Sequence, residues 1–364
     1  MKKKVFLVDV IPTDTSPEKM KSRMDELENL ITTYGGLTIV KKYQRKAIPD
    51  YKTYVGAGKL EEIKNQMKIE GCELLIVGNT LKPQQIFNIN ENLRSINAQA
   101  WDRIDLILKI FEAHAKSTEA RLQIELAAIK HMGPRIFRMG MDLSRQGGGI
   151  GTRGKGETNI QIMKRHIRES EKKIIKKLED HKKTRKLHRQ SRKNKNLDTV
   201  GIVGYTNAGK TSILNKMTKK QSKPENKLFA TLGTTVGKLW IQKDDFSGKE
   251  ILMNDTIGFI QDLPPQLIDC FSSTLEDSIF SNILLHVVDS SDSRIKEKIG
   301  VVDDILEDIE ANQERIYVFN KIDKIDNNQL QNLKKEFKHL DPVFISAENK
   351  IGLEQLKQKI IELI

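Results

Sequence analysis

The chain has 364 residues, 30% of them charged, and a formal net charge of +13. That length allows two or three domains with hydrophobic cores, and the charge predicts an anionic partner, with nucleic acid ahead of a membrane surface. Two cysteines exclude a disulfide framework and are typical of a cytoplasmic protein, and no apolar run is long enough to cross a membrane.

Residues 1–100 are predicted to form a small α/β domain. The runs KKVFLVDV and CELLIVGN are rich in β-forming residues, and helical stretches such as PEKMKSRMDELENLITTYGG lie between them. The apolar stretch at the start is interrupted by Asp9, so it is predicted to be a strand and not a signal peptide. The glycines of VGAGKLEEI are interpreted as a tight turn that opens a helix, not as a phosphate site.

Residues 101–196 are predicted to form a long antiparallel helical hairpin. Apolar residues recur at helical spacing from Arg103 to about His131 and again after about Glu157. Between the helices, the segment 133–156 holds eight glycines and a single acidic residue. Glycines let a backbone approach a folded RNA closely, and arginines pair with phosphates or stack on bases. We therefore predict a basic tip whose RNA-binding residues are Arg135, Arg138, Arg145, Arg153 and Lys155.

The second predicted helix carries most of the positive charge. Residues 164–195 hold 15 Lys or Arg side chains against 4 Asp or Glu. So concentrated a stripe favours a phosphate backbone as its partner over general solvation. Within the tip, G-I-G-T-R-G-K-G nearly matches a phosphate-binding pattern, but Gly156 stands in place of the required hydroxyl. The tip is thus not expected to bind a second nucleotide, and a flexible linker is the alternative interpretation.

Residues 197–364 are predicted to form an α/β domain, in which alternating strands and helices build a mostly parallel sheet with helices on both faces. The motif GYTNAGKT follows a predicted strand and opens a predicted helix, as a phosphate loop must. Backbone N–H groups from Asn207 to Thr211 can bind the β-phosphate. Lys210 can reach the β- and γ-phosphates, and the Thr211 hydroxyl can bind Mg²⁺.

Three later motifs complete the pattern of a P-loop GTPase. In NDTIGF, Asp255 can hold Mg²⁺ through water and the Gly258 amide can contact the γ-phosphate. In NKID, Asp323 can accept hydrogen bonds from guanine N1–H and the 2-amino group, neither of which adenine offers. The run Ser346-Ala347-Glu348 ends a predicted strand, where backbone donors can meet guanine O6.

The segment LFATLGTTVGKL lies where a switch must supply a threonine that senses Mg²⁺ and the γ-phosphate. Thr231, Thr234 and Thr235 all satisfy this requirement, and the residues alone do not choose among them. Phe259 occupies the position after D-x-x-G where many GTPases place a glutamine that orients the attacking water. Since phenylalanine cannot do so, we expect slow hydrolysis by the isolated protein, with a partner or a monovalent cation completing the site.

The helical insertion and the nucleotide-binding domain together resemble the HflX family of ribosome-associated GTPases. The resemblance rests on RIDLILKIFEAHAKSTEARLQIELA, LSRQGGGIGTRGKGET, GYTNAGKTSILN, LFATL and NDTIGF, which fall within roughly residues 101–323. It implies that Thr231 is the switch threonine and that the partner is the large (50S) ribosomal subunit with its RNA. Members of the family have been linked to dissociating stalled ribosomes. The sequence departs from the family in LGTTVGK, which lacks the usual acidic residue and proline, and in Lys155, where proline is common.

These motifs and the resemblance together define a candidate nucleotide site. The predicted nucleotide-binding residues are Gly204, Tyr205, Thr206, Asn207, Ala208, Gly209, Lys210, Thr211, Phe229, Ala230, Thr231, Leu232, Gly233, Asp255, Thr256, Ile257, Gly258, Asn320, Lys321, Ile322, Asp323, Ser346, Ala347 and Glu348. The predicted catalytic residues are Lys210, Thr231 and Gly258. The predicted Mg²⁺ ligands are Thr211, Thr231 and, through water, Asp255. Asn207 resembles the K⁺-coordinating asparagine of some cation-stimulated GTPases, although a loop asparagine without that role fits equally well.

The leading hypothesis is a cytoplasmic, monomeric GTPase that docks on ribosomal RNA in its GTP-bound form and acts in ribosome splitting, rescue or biogenesis. The alternative is a GTP-gated RNA-binding or assembly factor in which hydrolysis only times release. An ATP-driven RNA remodeler is disfavoured, because Asp323 would find no partner on adenine.

Overall fold

The computed structural model of the chain describes residues 2–115, 117–146, 159–194, 197–218, 229, 235–244, 247–256, 258–260, 267, 275–276 and 279–364. The chain divides into two compact units. One comprises Met1–Ala113 with Arg121–Leu178, and the other comprises His114–Ala120 with Glu179–Ile364. Among the described residues, no helix combines the length and apolar composition needed to cross a membrane.

The first unit contains a four-stranded parallel sheet in the order β2-β1-β3-β4. Its strands are β1 (Lys4–Ile11), β2 (Leu37–Arg45), β3 (Leu74–Val77) and β4 (Gln99–Trp101). They are connected by helices α1 (Pro17–Tyr34), α2 (Ala57–Glu70) and α3 (Pro83–Leu93). The central strands β1 and β3 are almost wholly buried, as expected of apolar runs in a parallel sheet. The predicted α/β character of this region is confirmed.

The helical region that follows differs from its prediction in two places. It consists of α4 (Arg103–His114), α5 (Thr118–Gln146) and α6 (Asn159–Asn194), so the first predicted helix is two helices. The break predicted at Gly133 is wrong, because α5 continues through Gly133 and Pro134 to Gln146. Glycine and proline together disfavour a helix interior by about 4 kcal/mol. The next residue, Arg135, forms buried ion pairs with Asp102 and Asp105.

The second unit contains a six-stranded sheet in the order β10-β9-β8-β5-β7-β6. Its strands are β5 (Asp198–Gly204), β6 (Thr235–Asp244), β7 (Ser247–Asp255), β8 (Ile283–Asp289), β9 (Glu314–Asn320) and β10 (Val343–Phe344). Its helices are α7 (Lys210–Met217), α8 (Ile295–Asp308), α9 (Asn327–Glu336) and α10 (Leu353–Leu363). Every strand pair is parallel except β6 with β7. The predicted mostly parallel sheet is confirmed.

Helices cover both faces of this sheet. The consecutive β8 residues Val287 and Val288 point to opposite faces and belong to different hydrophobic clusters. Val287 packs in the cluster with residues of α7 and α10, whereas Val288 packs with residues of α8. The parallel strands β5, β7, β8 and β9 therefore end at one edge of a sheet whose two faces are buried, and the polar residues that follow them meet there.

Candidate functional site

The loop between β5 and α7 has the geometry of an anion-binding turn. It runs from Gly204 to Lys210, and Asn207 and Gly209 have φ angles of 63° and 98° in the left-handed region. A Cβ atom at Gly209 would lie 2.2 Å from Asn320 Nδ2, so only glycine fits there. Successive backbone N–H groups at a helix N-terminus bind phosphate. The strand, glycine-rich turn and helix predicted from GYTNAGKT are all present.

Lys210 lies inside this loop. Its side chain is buried, and Nζ donates hydrogen bonds to the carbonyl oxygens of Gly204 (3.0 Å) and Tyr205 (2.8 Å). Burial lowers the Lys210 pKa to about 8, with Asp255 raising it and Lys321 lowering it further. Near neutral pH the ammonium form still predominates, and an anionic phosphate would favour it further.

Two of the predicted Mg²⁺ ligands are in direct contact. Thr211 Oγ1, in the first turn of α7, donates a hydrogen bond to Asp255 Oδ2 at the end of β7, over 2.7 Å. A hydroxyl and a carboxylate are the hard oxygen donors that Mg²⁺ prefers. The donor set therefore fits the predicted cation. The third predicted ligand, Thr231, lies outside the described residues.

The glycine of D-x-x-G touches the phosphate loop. A Cβ atom at Gly258 would lie 2.8 Å from Lys210 Nζ and 2.7 Å from Thr206 Cγ2, so a side chain there would displace the loop. Backbone hydrogen bonds from Thr206 N–H to Phe259 O (2.7 Å) and from Phe259 N–H to Gly204 O (3.2 Å) fix this approach. The Phe259 side chain is buried, so it presents nothing that could orient a water molecule.

Asn320 connects the phosphate loop to the region predicted to bind the base. Its Nδ2 donates to Ala208 O (2.9 Å), and its Oδ1 accepts from the Ala347 N–H (3.0 Å). The neighbouring Lys321 Nζ donates to Asn207 O and to Asp289 Oδ2, both at 2.6 Å. Asp289 was not singled out from the sequence, although a carboxylate that ends a buried strand next to the phosphate loop is a recognisable signal.

Asp323 presents an exposed carboxylate beside this network. Ser346 Oγ donates a hydrogen bond to Asp323 Oδ1 at 2.5 Å and accepts one from the Asn349 N–H at 3.1 Å. The Ser346 side chain is fully buried, so its hydroxyl holds the Asp323 carboxylate in one orientation. The predicted role of Ser346 was a backbone one, and this side-chain contact adds to it.

Some predicted site residues cannot be placed. Ala230, Thr231, Leu232, Gly233, Ile257, Arg153 and Lys155 lie outside the described residues. Phe229 is described and buried. Arg138 and Arg145 lie in α5, but their side chains are outside the described part of the chain.

Arg135, a predicted RNA contact, is buried in ion pairs within the first unit and is not presented on the surface. Its guanidinium is buried, with Nη1 donating to both carboxylate oxygens of Asp105 (2.6 and 2.8 Å) and Nη2 donating to Asp102 Oδ2 (2.7 Å). One turn earlier, His131 Nε2 lies 3.3 Å from Asp102 Oδ1. Burial lowers the His131 pKa, but hydrogen bonds to the two carboxylates outweigh it and raise that pKa. The Arg135 guanidinium thus already pairs with the carboxylates of Asp102 and Asp105. The spacing of these residues along the chain gave no sign of that pairing.

Three family descriptions match successive parts of the chain. "GTP-binding GTPase N-terminal" matches residues 21–112, "GTP-binding GTPase Middle Region" matches 114–192, and "50S ribosome-binding GTPase" matches 199–321. The first boundary falls at the end of α4, and the second falls between α6 and β5.

Curated relatives match over nearly the whole chain. GTPase HflX of Caldanaerobacter subterraneus subsp. tengcongensis is 41% identical over 360 residues, which is 99% of this chain and 80% of the relative. GTPase HflX of Escherichia coli strain K12 is 34% identical over 346 residues, covering 95% of this chain and 80% of the relative.

Two crystal structures match along the whole chain. The complex of SsGBP with GDP is 29% identical, with a TM-score of 0.56, and the match covers 100% of this chain and 98% of that one. A GTP-binding protein from the archaeon Sulfolobus solfataricus in complex with GDP is 30% identical, with a TM-score of 0.50 and the same coverage.

Proposed function

This chain belongs to the HflX family of GTPases, and from that premise we propose that it binds the large ribosomal subunit in its GTP-bound form and is reset by hydrolysis. As a member of that family it is an enzyme that hydrolyses GTP to GDP and phosphate.

The observation that carries the proposal is the outer face of α6. Its exposed cations lie on one continuous helix and include Lys172, Lys173, Lys176, Lys177, Lys182, Lys183 and Lys186. A row of lysines of this kind can pair with successive phosphates of a nucleic acid backbone, and such binding would weaken steeply as the salt concentration rises. The match to a family described as 50S ribosome-binding GTPases supports a ribosomal target.

The chain's own residues divide the hydrolytic work. Lys210 would leave its two loop carbonyls to contact the β- and γ-phosphates, and the loop N–H groups would bind the β-phosphate. Thr211 and Thr231 would hold Mg²⁺ directly and Asp255 through water. Mg²⁺, when bound, neutralises charge on the β- and γ-phosphates. Asn207 is the residue that would hold K⁺, if the enzyme uses it.

Guanine selection would belong to Asp323. Ser346 holds its carboxylate, so the acceptor pair is already oriented for guanine N1–H and the 2-amino group. An adenine nucleotide would leave this carboxylate without donors, which argues against an ATP-driven remodeler.

A second candidate function is a GTP-gated assembly factor whose hydrolysis only times release. The buried Phe259 favours it, because a site without a water-orienting side chain hydrolyses slowly and can serve as a timer. The two functions differ in what happens to an intact ribosome.

Sedimentation with purified components tests both. We expect the protein with a non-hydrolysable GTP analogue to bind isolated large subunits and to convert intact ribosomes to subunits. Binding without splitting would support the assembly factor, and absence of binding would refute both. Lys182→Glu with Lys186→Glu should weaken binding. The matched control, Lys335→Glu with Lys338→Glu, reverses two exposed lysines of the second unit that lie outside α6 and should not weaken it.

A further inference from the structure

We propose that Glu276 couples the nucleotide state of the GTPase domain to the basic helix α6. Glu276 belongs to the stretch of chain that follows the D-x-x-G motif, and it meets two arginines of α6. The coupling rests on the proposed function only in taking ribosomal RNA as the ligand of α6. Its link to the nucleotide can be measured without RNA.

The geometry is a convergent ion pair. Arg185 Nε donates to Glu276 Oε2 over 3.1 Å, and Arg189 Nη1 donates to the same oxygen over 3.0 Å. The exposed fraction of the side chain is 13% for Glu276 and 18% for each arginine, so the contact is largely removed from water. Arg185 also pairs with Glu119, in the first turn of α5. Two cations and two anions thus form a neutral cluster.

The same helix presents two different sets of charges. Arg185 and Arg189 are four residues apart and therefore lie on one face of α6. The Arg189 guanidinium also stacks on Phe280, 4.2 Å from the ring centroid. By contrast, Lys182, Lys183 and Lys186 are exposed. The two arginines are thus engaged by the protein, and the lysines are the charges available to RNA.

The position of Glu276 after the D-x-x-G motif connects this ion-pair cluster with the nucleotide site. Gly258 is packed against Lys210 and Thr206 of the phosphate loop, so a γ-phosphate that draws Lys210 away must also alter the packing of Gly258. In GTPases the segment after this glycine changes conformation with the γ-phosphate. A carboxylate shared by two guanidinium groups satisfies both in one position only. Movement of Glu276 would therefore change how firmly α6 is held.

Linkage makes this coupling reciprocal. If GTP, through the contact of Glu276 with α6, changes the affinity of α6 for RNA, then RNA must change the affinity for GTP by the same factor. Glu276 would act as a positioning residue in RNA-stimulated hydrolysis, because it acts through Arg185 and Arg189 of α6.

Hydrogen exchange of the full-length protein tests the first half of the proposal. We expect amides of residues 179–194 to exchange differently with GDP and with a non-hydrolysable GTP analogue. Glu276→Gln should abolish that difference and leave GDP affinity unchanged. The matched control Glu179→Gln, which removes an exposed carboxylate from the same helix, should retain it. An unchanged difference in Glu276→Gln, or none in the wild type, would overturn the proposal.

Hydrolysis in the presence of large subunits tests the second half. Glu276→Gln should lose most of the stimulation while still binding the subunit, because the lysines of α6 are unchanged. Arg189→Gln should have the same effect, which keeps the test valid if Glu276→Gln folds poorly. The control Lys186→Gln, which removes an exposed lysine, should weaken subunit binding but retain the exchange difference. If the wild type binds no subunits, the proposed function fails and the exchange result still decides the coupling. Full stimulation of hydrolysis in both Glu276→Gln and Arg189→Gln would refute the proposed coupling.

Discussion

Arg135 and Asp105 form a buried ion pair inside the first unit, in which a single guanidinium nitrogen, Nη1, donates to both carboxylate oxygens, at 2.6 and 2.8 Å. The pair joins α5 to α4 directly after the Gly133-Pro134 step. Since Arg135 also binds Asp102, removing its charge would leave two buried carboxylates without their main partner. The pair thus holds α5 against α4 at the point where two residues disfavour a helix.

Arg135→Gln should therefore destabilise the protein without changing its intrinsic affinity for RNA. Breaking a buried ion pair by removing one partner costs about 3–5 kcal/mol. Chemical denaturation should report this loss in the first unit, while the exposed control Lys130→Gln should change stability by less than about 0.5 kcal/mol. A stability equal to that of the wild type, together with weaker RNA binding, would return Arg135 to the RNA-binding set.

Asp323→Asn should change which base the protein prefers. An amide in place of the carboxylate loses the acceptor for the guanine 2-amino group and gains a donor that suits the C2 carbonyl of xanthine. Competition between GTP and xanthosine triphosphate should show weaker GTP binding and stronger binding of the xanthine nucleotide. Ser346→Ala, which releases the Asp323 carboxylate, should weaken GTP binding without the gain. An unchanged preference in Asp323→Asn would mean that this residue does not contact the base.

Thr211→Ala should depress hydrolysis more than GDP binding. The hydroxyl lies 2.7 Å from Asp255 in the proposed Mg²⁺ site, and the cation matters most for the γ-phosphate. Hydrolysis on large subunits and binding of a fluorescent GDP should be measured over a Mg²⁺ titration, with the adjacent Ser212→Ala as control. Hydrolysis at the wild-type rate in Thr211→Ala would contradict the ligand assignment.

The pKa of Lys210 predicts how the nucleotide-free protein responds to pH. Burial lowers this pKa from the ordinary 10.5 to about 8, so between these values the unfolded chain binds a proton that the folded protein has lost. Stability contributed by this group must therefore rise as the pH increases through about 8. Thermal unfolding from pH 7 to pH 9 should show this rise relative to Lys210→Met, which cannot titrate. Parallel profiles for the two proteins would show that Lys210 does not lose its proton in this range.

The sequence predicted the second unit more fully than the first. Asn320, Lys321, Asp255 and Thr211 meet because parallel strands deliver their motifs to one edge, which alternation of strands and helices is enough to predict. The Arg135 contacts could not be predicted in this way, because its carboxylate partners lie some thirty residues earlier and local propensity favoured a break. Side-chain pairings between distant helix faces, such as Arg189 with Glu276, follow from packing and not from any local pattern.

The final prediction concerns the glycine-rich stretch around Arg153 and Lys155. In the sequence, Arg153 and Lys155 lie between α5 and the basic helix α6. Both remain proposed RNA contacts, whereas Arg135 is buried. Arg153→Glu with Lys155→Glu should leave GTP affinity intact but weaken large-subunit binding and reduce subunit-stimulated hydrolysis, because each reversal replaces a phosphate-binding cation by an anion. With about six phosphate contacts, wild-type binding should itself fall by orders of magnitude from low to moderate salt, and the variant should show a shallower dependence. A double reversal at Lys335 and Lys338 is the control of equal charge. Wild-type affinity, stimulation and salt dependence in the Arg153 and Lys155 variant would reduce this stretch to a connector between two helices.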